Sequence, residues 1–396
     1  MADAAREVWI TGLGLVSCLG EGPDAHWQRL AAGEPGADTT SFAPWVVHPL
    51  VPLALDTQIP KKGDQRQMEP WQRTGTYAAG LALESAGVKG DKELLGRMDM
   101  IVAAGGGERD YAADGAILAG LRNAADPGAY LNERLMSDLR PTLFLAQLSN
   151  LLAGNISVVH GVTGSSRTFM GEEGAGIEAA RTALSRIKAG QSDIALVGGS
   201  QNGERKDLLM LFEFGGFALK DAFEAVWNRD AAPGFALASL GAFLVLEARD
   251  HAEKRGAKPL AKLSAVVSDQ VRRTAPGAIE SSLGALWDRL PPVDPARAVV
   301  LSGAAGTAPA TAEEKAVLAA RGLPVRATGT FVGHSLEPQF VVNLALATVA
   351  LGHGKLFPPC DPTGFEAPFE GALGQVVVTG VGHWRGEGLA LVEAVG

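Results

Sequence analysis

The sequence predicts an α/β fold made of two similar halves, and three observations carry that expectation. Apolar, β-branched runs recur along the 396 residues, and most of them end in glycine. Segments with helical periodicity lie between them. A charged stretch, Ala248 to Pro259, interrupts the pattern past the middle, and a new set of alternating elements opens after it. The halves are placed at residues 1–249 and 250–396.

In chain order the runs expected as buried strands are Val8–Gly14, Met100–Gly107, Ile194–Gly199, Gly241–Glu247, Ala298–Gly303 and Val376–Gly382. The segments expected as helices are Trp71–Ala86, Pro141–Ala153, Gly176–Ala189, Thr311–Arg321 and Pro338–Gly352. In the third of these, Ile177, Ala180, Leu184 and Ile187 share one face at spacings of three and four. That face is expected to be buried.

With 46% hydrophobic and 20% charged residues the chain can bury a large core. Its 44 acids against 35 bases give a net charge of −9, which argues against non-specific nucleic-acid binding and a broadly basic membrane-facing surface. Cys18 and Cys360 are too few for a disulfide framework and lack metal-ligand spacing. Met1 to Glu7 is neither basic nor followed by a signal-like apolar core, and no run approaches the length of a membrane span. A cytoplasmic protein is expected, without cofactor or metal.

Two glycine clusters invite phosphate-binding readings. Gly12-Leu13-Gly14 follows the first strand but lacks the third glycine of a dinucleotide fingerprint. Ala103 to Glu108 lacks the lysine and hydroxyl pair of a P-loop. Tight turns are the better expectation for both.

The most specific stretch is Gly161–Ser200, GVTGSSRTFMGEEGAGIEAARTALSRIKAGQSDIALVGGS. It resembles the β-ketoacyl-acyl-carrier-protein synthases, in which a Gly-x-x-Gly-Pro-Ser turn leads through a short strand into a nucleophilic cysteine and a long helix. Gly161, Gly164 and Ser166 match the turn, Gly176 a small residue after the nucleophile, and Gly198-Gly199 the following strand end. Glu173 stands at the cysteine position. Other matching stretches run from Val8, Gln67 and Gly241, so the resemblance spans nearly the whole chain and implies a thiolase-like, layered αβαβα fold.

Three further positions of the resembling family depart or persist. Gly303 stands at the first catalytic histidine of the His-Gly-Thr-Gly-Thr motif and Gly329 at the lysine, whereas His334 is retained in Gly333-His334. Glu314 matches a downstream acid, and Thr311 replaces that acid's usual partner. The Gly-Phe-Gly-Gly turn, which gates the acyl pocket and helps form the oxyanion hole, corresponds to Gly380–Gly386. Glu172 and Glu173 are expected at the amino terminus of the Ile177 helix, where free amides favour a thiolate or an ionised carboxylate. A carboxylate cannot stably accept an acyl chain from a thioester, since water readily opens the mixed anhydride.

The resemblance therefore implies a non-condensing, chain-length-factor-type member that partners an active synthase, with an acyl carrier protein and an acyl chain as further partners. Arg140 to Phe144, with Leu143 and Phe144 as acyl-pocket wall, are the residues it maps to the partner's pocket. More narrowly, the sequence is similar to the second synthase-like protein of rhizobial clusters that make very-long-chain acyl groups for lipid A. Two alternatives stay open. One is an active enzyme, such as a malonyl-carrier-protein decarboxylase or hydrolase using Glu173 and His334 without condensation, in which a Glu173 raised by burial would donate a hydrogen bond. The other is a structural homodimer or carrier-protein docking module, which a filled space behind Glu173 would favour over an open apolar channel.

Overall fold

A computed structural model describes residues 6–139, 143–144 and 147–395. The amino-terminal half supplies β1 (Val8–Ser17), β2 (Gly20–Glu21), β3 (Val47–His48), β4 (Asp99–Ala103), β5 (Ser166–Phe169), β6 (Ile194–Gln201), β7 (Leu237–Ala238) and β8 (Leu240–Ala248). The second half supplies β9 (Ala261–Asp269), β10 (Ala298–Ser302), β11 (Val325–Ala327), β12 (Gln375–Val381) and β13 (Glu387–Glu393).

One long sheet runs β11-β10-β12-β13-β9-β1-β8-β6-β4-β5, with β2 paired to β1. Its two ends repeat one pattern: β5-β4-β6 and β11-β10-β12 are parallel, while β6-β8-β1 and β12-β13-β9 are antiparallel. The halves meet where Trp9 and Ile10 of β1 pair with Lys262 and Ala261 of β9. The expected α/β architecture of two similar halves is thus the observed one.

Two helices form the middle layer, Glu173–Lys188 and Gln339–His353. Each packs on strands of both halves and on the other. Every residue from Gln339 to Leu351 is buried, as expected of a helix apolar nearly all round. The Ile177, Ala180, Leu184 and Ile187 face is buried as its periodicity implies. Outer helices such as Pro70–Ser85 on one side and Ala278–Trp287 and Ala310–Arg321 on the other complete the layers.

Gly12 and Gly14 explain themselves in this packing. A Cβ at Gly14 would lie 2.0 Å from the Ala78 carbonyl oxygen, and one at Gly12 would lie 2.4 Å from that of Ala82. These glycines sit inside β1 and let the Pro70–Ser85 helix approach it.

One helix differs from expectation. The expected single helix is interrupted: Leu143 and Phe144 are helical, a turn lies at Ser149-Asn150, and a separate helix runs Leu151–His160, ending where Gly161 adopts φ 79°. The carboxyl-terminal glycine in the left-handed region marks that end better than the apolar spacing marks the start. Among the described residues no helix is long and apolar enough to cross a membrane.

Candidate active site

The turn from β5 into the Glu173 helix is strained. Glu172 caps the helix with φ 64° and ψ −152°, which places Glu173 at the first helical position with its carboxyl turned inward. Glu173 is 2% exposed. A charge this deep requires partners, and two histidines provide them.

Glu173 Oε1 lies 2.7 Å from His334 Nε2 and 2.9 Å from His383 Nδ1. The backbone N–H of His383 also donates to Oε1, at 3.1 Å. An ionised carboxylate only accepts, so both rings present N–H groups to it. Burial pushes the Glu173 carboxyl up, yet the bonds from His334 and His383 outweigh it and hold the group well below the usual carboxylate range. Burial pulls His383 down, but its bond to Glu173 wins and raises it.

Backbone geometry fixes His334. Its N–H donates to the Ala236 carbonyl and its carbonyl accepts from Ala238, both at the β7 edge. His383 sits in the turn between β12 and β13, which the Gly382 N–H closes onto the Gly386 carbonyl at 2.8 Å. Aromatic rings wall the cluster: Phe235 is 4.8 Å from the His334 ring, and Phe217 and Phe212 are 4.8 and 5.6 Å from that of His383.

The two positions that the resemblance assigns to a histidine and a lysine differ in room, Gly303 being closed to a Cβ and Gly329 only tight. A Cβ at Gly303 would meet the Thr379 carbonyl oxygen at 2.6 Å and Asn343 Nδ2 at 2.9 Å. A Cβ at Gly329 would lie 3.1 Å from the Ala304 carbonyl oxygen. Glu314 is buried beneath Gly303, accepting hydrogen bonds from Ser302 and Thr379, and burial raises its carboxyl. Thr311 caps the Gly306 N–H.

Leu143 is buried and Phe144 is 70% exposed; positions 140–142 of the same stretch lie outside the described residues. Beside Glu172 opens a cleft of about 380 Å³. Leu208, Leu211, Phe212 and Leu336 are among its walls, together with Arg205 and Glu337. Burial pushes the Glu337 carboxyl up to about 7, and its one hydrogen bond comes from the Glu172 N–H at 3.3 Å.

His383, Glu337 and the phenylalanines were missed as site residues from the sequence. Glu337 lies three residues past His334, and His383 interrupts a turn whose other family-like positions are glycine, so both signals were present. As donors toward a metal, Glu173, His334 and His383 offer one oxygen and two nitrogens within 4.8 Å of one another.

These features place the chain in a known class. Residues 5–252 match the family described as Beta-ketoacyl synthase, N-terminal domain, and the chain belongs to that family. It is similar to 3-oxoacyl-acyl-carrier-protein synthase 2 of Rhizobium meliloti strain 1021, 27% identical over 284 residues that cover 65% of this chain and 63% of that one. It is similar also to the tetracenomycin polyketide synthase ketoacyl synthase beta subunit of Streptomyces glaucescens, 28% identical over 263 residues, 64% of this chain and 61% of that one. These matches span less than two thirds of the relatives' own length. In fold, the ishigamide ketosynthase/chain length factor superposes with a TM-score of 0.81 at 20% identity, covering 99% of this chain and 100% of that one.

Proposed function

We propose that this protein is a non-condensing, chain-length-factor-type partner of an active β-ketoacyl-acyl-carrier-protein synthase in fatty-acid, specifically very-long-chain, biosynthesis, of the kind found in rhizobial lipid A clusters. The observation that carries the reading is the commitment of Glu173: its carboxylate is ionised, enclosed, and bonded to both histidines. Such a group neither holds an acyl chain nor welcomes a malonyl carboxylate. The closed packing at Gly303 supports the same reading, because a histidine there would meet the Thr379 carbonyl and the Asn343 side chain.

A partner has a surface to join. β5 ends the sheet and pairs only with β4 among the described strands, which leaves its outer edge unpaired. Val158 and Met170 stand exposed near it, at 71% and 64%. The resemblance puts the dimer interface at this strand, with Leu143 and Phe144 reaching the partner's acyl pocket. The apolar wall of Leu208, Leu211, Phe212 and Leu336 is where this chain would line an acyl path. Division of the chain at residues 249 and 250 belongs to the same reading.

Co-expression with a neighbouring synthase, followed by size analysis and a chain-length assay on carrier-protein thioesters, tests it. The expected result is a mixed dimer whose products change in length when this subunit is omitted. Unchanged products, or no complex, would defeat the reading.

A further inference from the structure

We infer that Glu173, His334 and His383 form a binding site for one divalent transition-metal ion of the zinc type. The donors come from three separate parts of the fold: the start of the central helix, the segment crossing the β7 edge, and the β12–β13 turn. One carboxylate oxygen and two imidazole nitrogens is a set that zinc takes, at about 2.0–2.2 Å from each donor. The site stands or falls independently of the synthase-partner reading.

Two departures from the family pattern point the same way. Glutamate replaces a nucleophile, and histidine enters a turn otherwise matched to glycine and phenylalanine. Each substitution adds a metal donor: Glu173 faces the retained His334, and His383 faces Glu173.

Charge argues for a cation as well. Three carboxyl groups, Glu172, Glu173 and Glu337, gather at one helix start, and a carboxylate oxygen of Glu337 is buried without a partner. Arg385 pairs with Glu172 at 3.3 Å from the half-exposed side, while among the described residues no cation pairs with Glu337. A divalent ion beside Glu173 would add to the positive charge that the two histidines bring there and would sit near Glu337, which has no cation of its own among the described residues.

Geometry sets what must move. Donors around a tetrahedral zinc lie about 3.4 Å apart, so the 2.7 and 2.9 Å contacts must open by roughly half an ångström. His334 is held by the β7 edge, so the 2.7 Å contact opens by a shift of the Glu173 carboxylate and the 2.9 Å contact by movement of His383, whose short turn carries the exposed Trp384. That turn is also the way in.

The test titrates the chelator-treated, full-length protein with Co²⁺ and Zn²⁺, reading visible Co²⁺ absorption, calorimetric stoichiometry and melting temperature. Expected are one equivalent bound, Co²⁺ bands of nitrogen and oxygen ligation that Zn²⁺ displaces, and a raised melting temperature. His383→Ala, in the β12–β13 turn, and Glu173→Gln should each weaken binding by about 100-fold. Circular dichroism checks that each variant folds. Absence of Co²⁺ bands in the unmodified protein, or binding that His383→Ala leaves unchanged, overturns the site.

Discussion

The carboxylate of Glu173 and the imidazole of His334, 161 residues apart, meet at 2.7 Å in the closed centre of the molecule. The contact joins the first residue of one central helix to the segment that leads into the other. His383 adds a second imidazole on the same oxygen. One buried carboxylate is thus knotted to two imidazoles.

Breaking that knot should be costly. Glu173→Gln leaves two buried imidazoles short of a negative partner and is expected to lower unfolding free energy at neutral pH by about 2–4 kcal/mol. The sign with pH follows from the depressed carboxyl. Its contribution is present above the ordinary value of 4.5 and is lost as the solution becomes more acid than that. Urea melts of both proteins across the acid range should therefore converge at low pH.

Glu337 should behave in the opposite sense. Its carboxyl is raised from 4.5 to about 7 by burial, so the stability it contributes is complete below 4.5 and falls as pH rises through about 7. The shift corresponds to at most about 3 kcal/mol. Glu337→Gln is expected to be the more stable protein at pH above 7 and to show a flatter stability profile between the two values. Denaturant melts at several pH values measure both.

Restoring a side chain at Gly303 should not restore chemistry. Even Gly303→Ala puts a methyl group 2.6 Å from the Thr379 carbonyl, and Gly303→His adds a ring to the same space. Each is expected to destabilise, the histidine by about 3 kcal/mol. Thermal melts check the cost, and a condensation assay on Glu173→Cys combined with Gly303→His should still yield no ketoacyl product.

The β5 edge should govern partnership. Val158→Asp changes an exposed side chain beside the unpaired strand and is expected to leave the melting temperature within a few degrees. Copurification with the synthase should fall at least tenfold, since a buried unpaired charge at an interface costs well over 1 kcal/mol. Size analysis of the co-expressed pair reads the outcome.

Much of the fold was legible because its signals are local. The runs at Val8, Ile194, Gly241 and Ala298 are β-branched and apolar, and each became a buried strand of the central sheet. The short β5 was no such run, since Ser166 and Arg167 are exposed at the sheet's edge. The single helix expected over Pro141–Ala153 is interrupted by the turn at Ser149-Asn150, which the apolar spacing did not mark, whereas Gly161 did mark the far end. At the site, Glu173, His334, Gly303 and Gly329 were legible through motif frames. His383 was not, because its meaning depends on a partner 210 residues away. Glu337 escaped for a related reason: its burial against Glu172 exists only once both strained turns are folded.

Intact-mass spectrometry after incubation with acyl- and malonyl-carrier-protein substrates, with and without the partner synthase, tests the central claim most directly. The account predicts an unmodified mass for this chain in every sample and ketoacyl product only when the partner is present. A stable acyl adduct on this chain, or product formed by it alone, would contradict the account.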